Sequence, residues 1–155
     1  MLDASLQNIL TRAYTRAELH GELDTLRMLV ERRVFGGRES GEEIPDTSAW
    51  DESVLESFTA ENMYERMDEL GRAARALPSL VIYVPVAFSR AEVVRIGTWC
   101  RTNIAPSVLL ELLVDPAVVG GCALVLQSKR HDLTLRHFAA KHHRELVELV
   151  KRYGA

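Results

Sequence analysis

The sequence predicts an α+β fold: an N-terminal antiparallel helical hairpin over residues 1–78, followed by a small β-α-β-β-α module over residues 79–155. Three observations predict it. Residues 2–35 contain no proline and repeat apolar side chains at helical spacing. Residues 80–86, 108–114 and 119–126 are short apolar runs bounded by turn residues, as strands are. Between the first two runs, Ser89 with Glu92 three positions on forms a capping box and opens a helix.

In the first stretch, Leu2, Leu6, Ile9 and Ala13 fall at one helical rhythm, and Leu19, Leu23, Leu26 and Val30 resume it after a six-residue step. The step skews the stripe, so one curved helix is expected rather than a straight coiled coil. Gly21 is a weak point within it, and Gly36-Gly37 ends it. Residues 36–49, GGRESGEEIPDTSA, read as a polar, acidic, solvated connector. A second helical stretch is expected from Trp50, with Ser48 and Asp51 as a capping pair and a fresh start near Thr59. Met63, Met67, Leu70, Ala74 and Leu77 then keep a 3-4 repeat that reads as core, and Pro78 stops it.

LVIYVPV at residues 80–86 is β-branched and apolar at nearly every position, which suits a strand covered on both faces. Pro85 belongs where no ladder bond is required. The helix after Ser89 is expected to bury Val93, Ile96, Gly97, Cys100 and Ile104. Residues 108–114 and 119–126 are expected to pair as a β-hairpin about the Asp115-Pro116 corner, with Gly120-Gly121 opening the second strand. Glu111, amid apolar strand residues, is expected to face solvent at a strand edge. A polar link at residues 128–131 leads to a last helix over 133–153, capped by Asp132 or Thr134. Leu135, Phe138, Ala139, His142, Leu146, Val150 and Tyr153 lie along one side of it, with Arg136, Lys141, Arg144, Lys151 and Arg152 mostly on the others.

Composition bounds the function. The chain has 155 residues, 47% of them apolar and 26% charged, enough for a buried core of ordinary globular type. A net charge of −3 argues against a dedicated nucleic-acid binder. Residues 1–78 hold 9 basic and 16 acidic side chains, a net −7, and residues 79–155 hold 10 and 6, a net +4. Such asymmetry suggests two units that attract each other or meet different partners. No run approaches the ~20 residues of a membrane span, and the N-terminus has no basic-then-apolar start of a secretory signal. Cys100 and Cys122 make neither a disulfide framework nor a CxxC site, and read as buried thiols in a reducing cytoplasm.

No phosphate-binding loop, GxGxxG, HExxH or GxSxG motif is present. His20, His131, His137, His142 and His143 lack the i, i+4 spacing of a metal face, so no metal or cofactor is expected. Asp115 and Asp132 are better spent on a corner and a cap than as a catalytic pair. The basic last helix has few aromatics for base stacking, only Phe138 and Tyr153, and a protein partner suits it better.

The order DPAVVGG, an apolar run, Lys129, then Asp132-Leu133-Thr134-Leu135-Arg136 resembles the C-terminal signature of the delta subunit of F-type ATP synthases, whose mitochondrial counterpart is the oligomycin-sensitivity-conferring protein. The family carries the same succession of apolar strand, Ser/Glu-capped helix and Asp-Pro corner, so the resemblance covers residues 79–150. Leu133 stands where the family has Gly and Thr134 where it has Ser, so the entry to the last helix is expected to differ in angle. The resemblance implies a non-catalytic stator subunit without a cofactor, held peripherally on the cytoplasmic side of the inner or plasma membrane. The b subunits of the peripheral stalk, and also the alpha subunits of the catalytic head, are its implied partners; nucleic acid and direct membrane insertion are not expected. Val94, Trp99, Arg101, Phe138 and His142 are the expected stalk-binding residues, with Asp115, Pro116, Gly120, Gly121, Asp132 and Thr134 shaping the module. The reduced first half differs from the larger bundle of the family. The alternative is a small regulatory or nucleic-acid-associated adaptor that uses the basic last helix.

Overall fold

A computed structural model describes residues 3–36 and 50–153. The capping role expected of Ser48, the place of Leu2 and almost all of the connector at 36–49 lie outside the described residues. Within them the chain is mixed α+β: helices α1 (Ala4–Leu10), α2 (Arg16–Phe35), α3 (Glu52–Glu56) and α4 (Met63–Ala76), then β1 (Ser79–Val84), α5 (Arg90–Asn103), β2 (Leu109–Val114), β3 (Gly121–Leu126), β4 (Lys129–Thr134), α6 (Leu135–Lys141) and α7 (His143–Tyr153).

The helix expected over 2–35 is two helices. Thr15 caps α2 by accepting from the Glu18 amide at 3.2 Å, while the Glu18 carboxylate accepts from the Tyr14 and Thr15 amides at 2.8 and 2.9 Å. This capping box fixes a new start, and the skew between Ala13 and Leu19 is the break itself rather than curvature. Gly36 ends α2 in the left-handed conformation, φ 65°, as its place after the helix requires. α4 begins at Met63 with Asn62 before it, slightly later than Thr59, and the Thr59 amide instead donates to Asn62 Oδ1 at 2.8 Å. Arg16 at the start of α2 donates to the carbonyl of Leu77 at the end of α4, so the two run antiparallel.

The sheet has the order β2-β1-β3-β4. β2 pairs parallel with β1, and β3 pairs antiparallel with the other side of β1. The expected hairpin between 108–114 and 119–126 therefore does not form, because β1 lies between its two strands. The six residues 115–120 reach up to ~20 Å, twice the ~10 Å needed to step over one strand. β1 takes the centre because its side chains are apolar on both faces, and α5 supplies the crossover that parallel pairing demands. The true hairpin joins β3 to β4 through Gln127 and Ser128, both at positive φ (47° and 66°). The expected polar link at 128–131 is thus mostly strand. KRHDLT lacks apolar alternation because β4 is an edge strand whose side chains mostly meet water.

Two apolar clusters divide near Pro78. One gathers the buried faces of α1 to α4, including Leu6, Leu19, Leu26, Met63 and Met67, and reaches Leu109 of β2. The other places Leu80, Ile82, Val84 and Leu110 of the sheet with Val93 and Cys100 of α5. The α1–α2 link stitches them together: Thr15 bridges Leu110 in parallel, and the Leu110 amide donates to the Tyr14 carbonyl at 2.9 Å. Arg16 pairs with Glu111 at 2.8 Å, so Glu111 is half-buried against α2 rather than turned to open solvent.

Candidate functional site

The expected partner-binding residues do not form one patch. Trp99 projects from α5 at 61% exposure, and Val94 of the same helix is half-buried. Phe138 and His142 sit together on α6, ring centroids 4.5 Å apart. Arg101 faces inward instead. Its guanidinium donates to the carbonyls of Leu10, Ala13 and Val108 and lies 4.5 Å over the Tyr14 ring. Burial pulls its pKa below the ordinary value, with Tyr14 and Glu18 opposing. Arg101 acts as a clamp between the halves, because a planar five-donor group satisfies several orphan carbonyls at once.

The shaping residues act locally. Asp115 Oδ1 accepts from the Ala117 amide at 2.9 Å and makes the corner, with Pro116 exposed at its tip. Asp132 accepts from the Thr134 amide at 3.0 Å, and the Thr134 hydroxyl accepts from the His137 amide at 3.2 Å. Thr134 is therefore the cap of α6, and Asp132 holds the turn that presents it. The Thr134 hydroxyl and amide bring the Asp132 carboxyl below its usual range. Gly121 opens β3 at φ 77°, where a Cβ would lie 2.2 Å from the Leu133 carbonyl oxygen. Gly120 needs its missing side chain less strictly, since a Cβ there would meet only the tip of Leu135 at 2.6 Å.

The C-terminal stretch departs most from expectation. It is not one helix from 133: α6 starts at Leu135, His142 leaves helical geometry at φ −105° and ψ 21°, and α7 follows. The apolar side is not buried. Leu135, Phe138, Leu149, Val150 and Tyr153 are all more than half exposed, and neither helix has a buried residue. Leu133 of β4 adds to this surface at 60% exposure. Leu149 was absent from the expected stripe, yet Leu146, Leu149, Val150 and Tyr153 fit the i, i+3, i+4, i+7 pattern of a helix face. By helical spacing Glu145 and Arg152 lie along one flank of the α7 stripe, with Arg144 and Lys151 on the far side of the helix, and His142 Nδ1 lies 3.1 Å from Glu145.

Such a surface can bind an apolar helix face. Among the described residues, no group of three or more His, Cys, Asp or Glu side chains is placed to hold a metal, and no helix is long and apolar enough to cross a membrane. Burial raises the pKa of the Cys100 thiol, which keeps it protonated and unreactive. Compared with known proteins, the chain matches no family model and no curated sequence.

Proposed function

We propose that the chain is a non-catalytic stator subunit of a rotary F-type ATP synthase, linking the catalytic head to the b-subunit stalk. The observation that carries this reading is the apolar stripe left open on α6 and α7. A helix of a partner laid on that stripe would bury the side chains the chain itself leaves in water. The motif order also supports it: apolar strand, Ser89/Glu92-capped helix, Asp115-Pro116 corner, Gly120-Gly121 strand start and a Thr134-capped basic helix. These are the features on which the resemblance to the delta subunit rests. The role requires grip without chemistry, and a seat built on apolar burial resists load without a covalent bond.

In this reading the stalk helices seat on Phe138 and the α7 stripe, with Trp99 as a separate exposed anchor on α5. The acidic helical half would hold the alpha subunits. The complex would sit peripherally at the cytoplasmic face of the membrane that carries the synthase.

Affinity purification of the tagged chain from membranes of its source organism tests the proposal. Co-purification of b and alpha subunits, retained at high salt, is the expected result. Recovery of nucleic acid that washes off steeply with salt would instead favour the adaptor. Absence of both synthase subunits would overturn the stator reading.

A further inference from the structure

α7 spans only 11 residues, and helices this short are marginal in water without a partner. Its main neighbour is α6, and it buries none of its own residues. Leu146, Leu149, Val150 and Tyr153 nevertheless form one apolar face on it. Glu145 and Arg152 lie seven positions apart, two turns, so they occupy the same flank of that face. One flank therefore carries an acid near the start of the helix and a base near its end.

We infer that α7 pairs with α7 of a second copy of this chain, antiparallel and about a twofold axis near Leu149. In an antiparallel twofold pair, each flank meets the identical flank of the other helix running in the opposite direction. Glu145 then faces the second copy's Arg152, and Arg152 faces the second copy's Glu145. Leu146 meets the second copy's Tyr153 end of the stripe, and Leu149 packs against Leu149 and Val150 near the axis. The patch is self-complementary, which is the requirement of an isologous interface. A parallel twofold pair would set this flank against the opposite flank of the second helix, which carries His143 and Val147, and neither charge would meet its opposite, so the charge order selects the antiparallel one. His142 holds Glu145 at 3.1 Å from within the chain and orients it along this flank. The pairing occupies the same face as the proposed stalk seat, so it describes the protein before assembly and does not depend on the identity of the stalk.

Sedimentation of the full chain across a range of concentrations tests the inference. A monomer–dimer equilibrium is expected, with Leu149→Lys shifting the dissociation constant at least tenfold upward while the circular-dichroism melt of the body is unchanged. Glu145→Arg and Arg152→Glu should each weaken self-association, because each opposes like charges. Mixed together, these two variants should form a heterodimer preferentially, since the mixture restores both opposite-charge pairs. A chain that remains monomeric at every concentration would overturn the inference, as would variants that show no preference for each other. A monomer that still retains b subunits in the affinity purification would leave the stator proposal standing and assign the face to the stalk alone.

Discussion

Tyr14 fills the space that a side chain at position 97 would require: an ideal Cβ on Gly97 would lie 2.4 Å from Tyr14 Cδ1 and 3.1 Å from its Cβ and Cγ. Tyr14 belongs to the link between α1 and α2, and Gly97 to the buried side of α5. The missing side chain thus lets the helical half come close to the sheet module. Gly97→Ala should gain up to about 1 kcal/mol of helix propensity and lose more to overpacking, for a net destabilisation of about 1–2 kcal/mol. Urea unfolding checks the value. In a Tyr14→Ala background the same change should be neutral or stabilising, and simple additivity of the two would refute the contact.

Arg101 satisfies three backbone carbonyls from both halves and stacks on Tyr14. Arg101→Met keeps the stem and removes the donors, leaving part-buried carbonyls unpaired at about 1–3 kcal/mol for a group so stranded. A loss of about 2–4 kcal/mol is expected, with Arg101→Lys recovering only part because one ammonium cannot span the three oxygens. Hydrogen exchange should show amides around Tyr14 and Leu110 opening first, since those bonds lie beside the clamp. Exchange unchanged there would mean that Arg101 is dispensable to the joint.

The two glycines that open β3 should respond differently. Gly121→Ala forces a Cβ onto the Leu133 carbonyl in a backbone region that side chains rarely adopt, and a loss of about 2–4 kcal/mol is expected. Gly120→Ala needs only a shift of the exposed Leu135 tip, so a loss of under about 1.5 kcal/mol is expected. Thermal melts of the two variants decide it, and equal effects would show the strand opening to be wrongly described.

Glu18 links pH to the joint. Burial opposes its ionisation, but the Thr15 and Tyr14 amides and Arg90 outweigh burial and lower its pKa. A carboxylate whose folded pKa is depressed contributes stability that is full above its unfolded pKa of about 4.3 and is lost as pH falls through the folded value. The native chain should therefore weaken as pH drops below about 4.3. Glu18→Gln should be less stable near neutrality and show a shallower acid limb in urea midpoints measured against pH. Parallel acid limbs for the two chains would remove Glu18 from the account.

Local features were legible from residue order because they depend on neighbours within four positions. The Ser89/Glu92 capping box, the Asp115 corner, the Gly36 stop and the Met63–Met67 stripe all stand as read. The Thr15/Glu18 box was equally legible, and the six-residue step between Ala13 and Leu19 that suggests curvature is its mark. Of the expected partner residues, Trp99, Phe138 and His142 lie where a partner can reach them at least in part, whereas the long, polar-tipped Arg101 gave no sign of turning inward.

The sequence by itself determined the fold class, the caps, the corner and the amphipathic last segment, since each is set by short-range sterics and hydrogen bonding. Only the tertiary structure decided that β1 separates β2 from β3, that KRHDLT forms an edge strand, and that the last helices leave their apolar side open. Strand order is a choice among apolar faces of nearly equal hydrophobicity, and burial of a helix face depends on whether another element arrives to cover it. Neither quantity is a property of a residue and its neighbours along the chain.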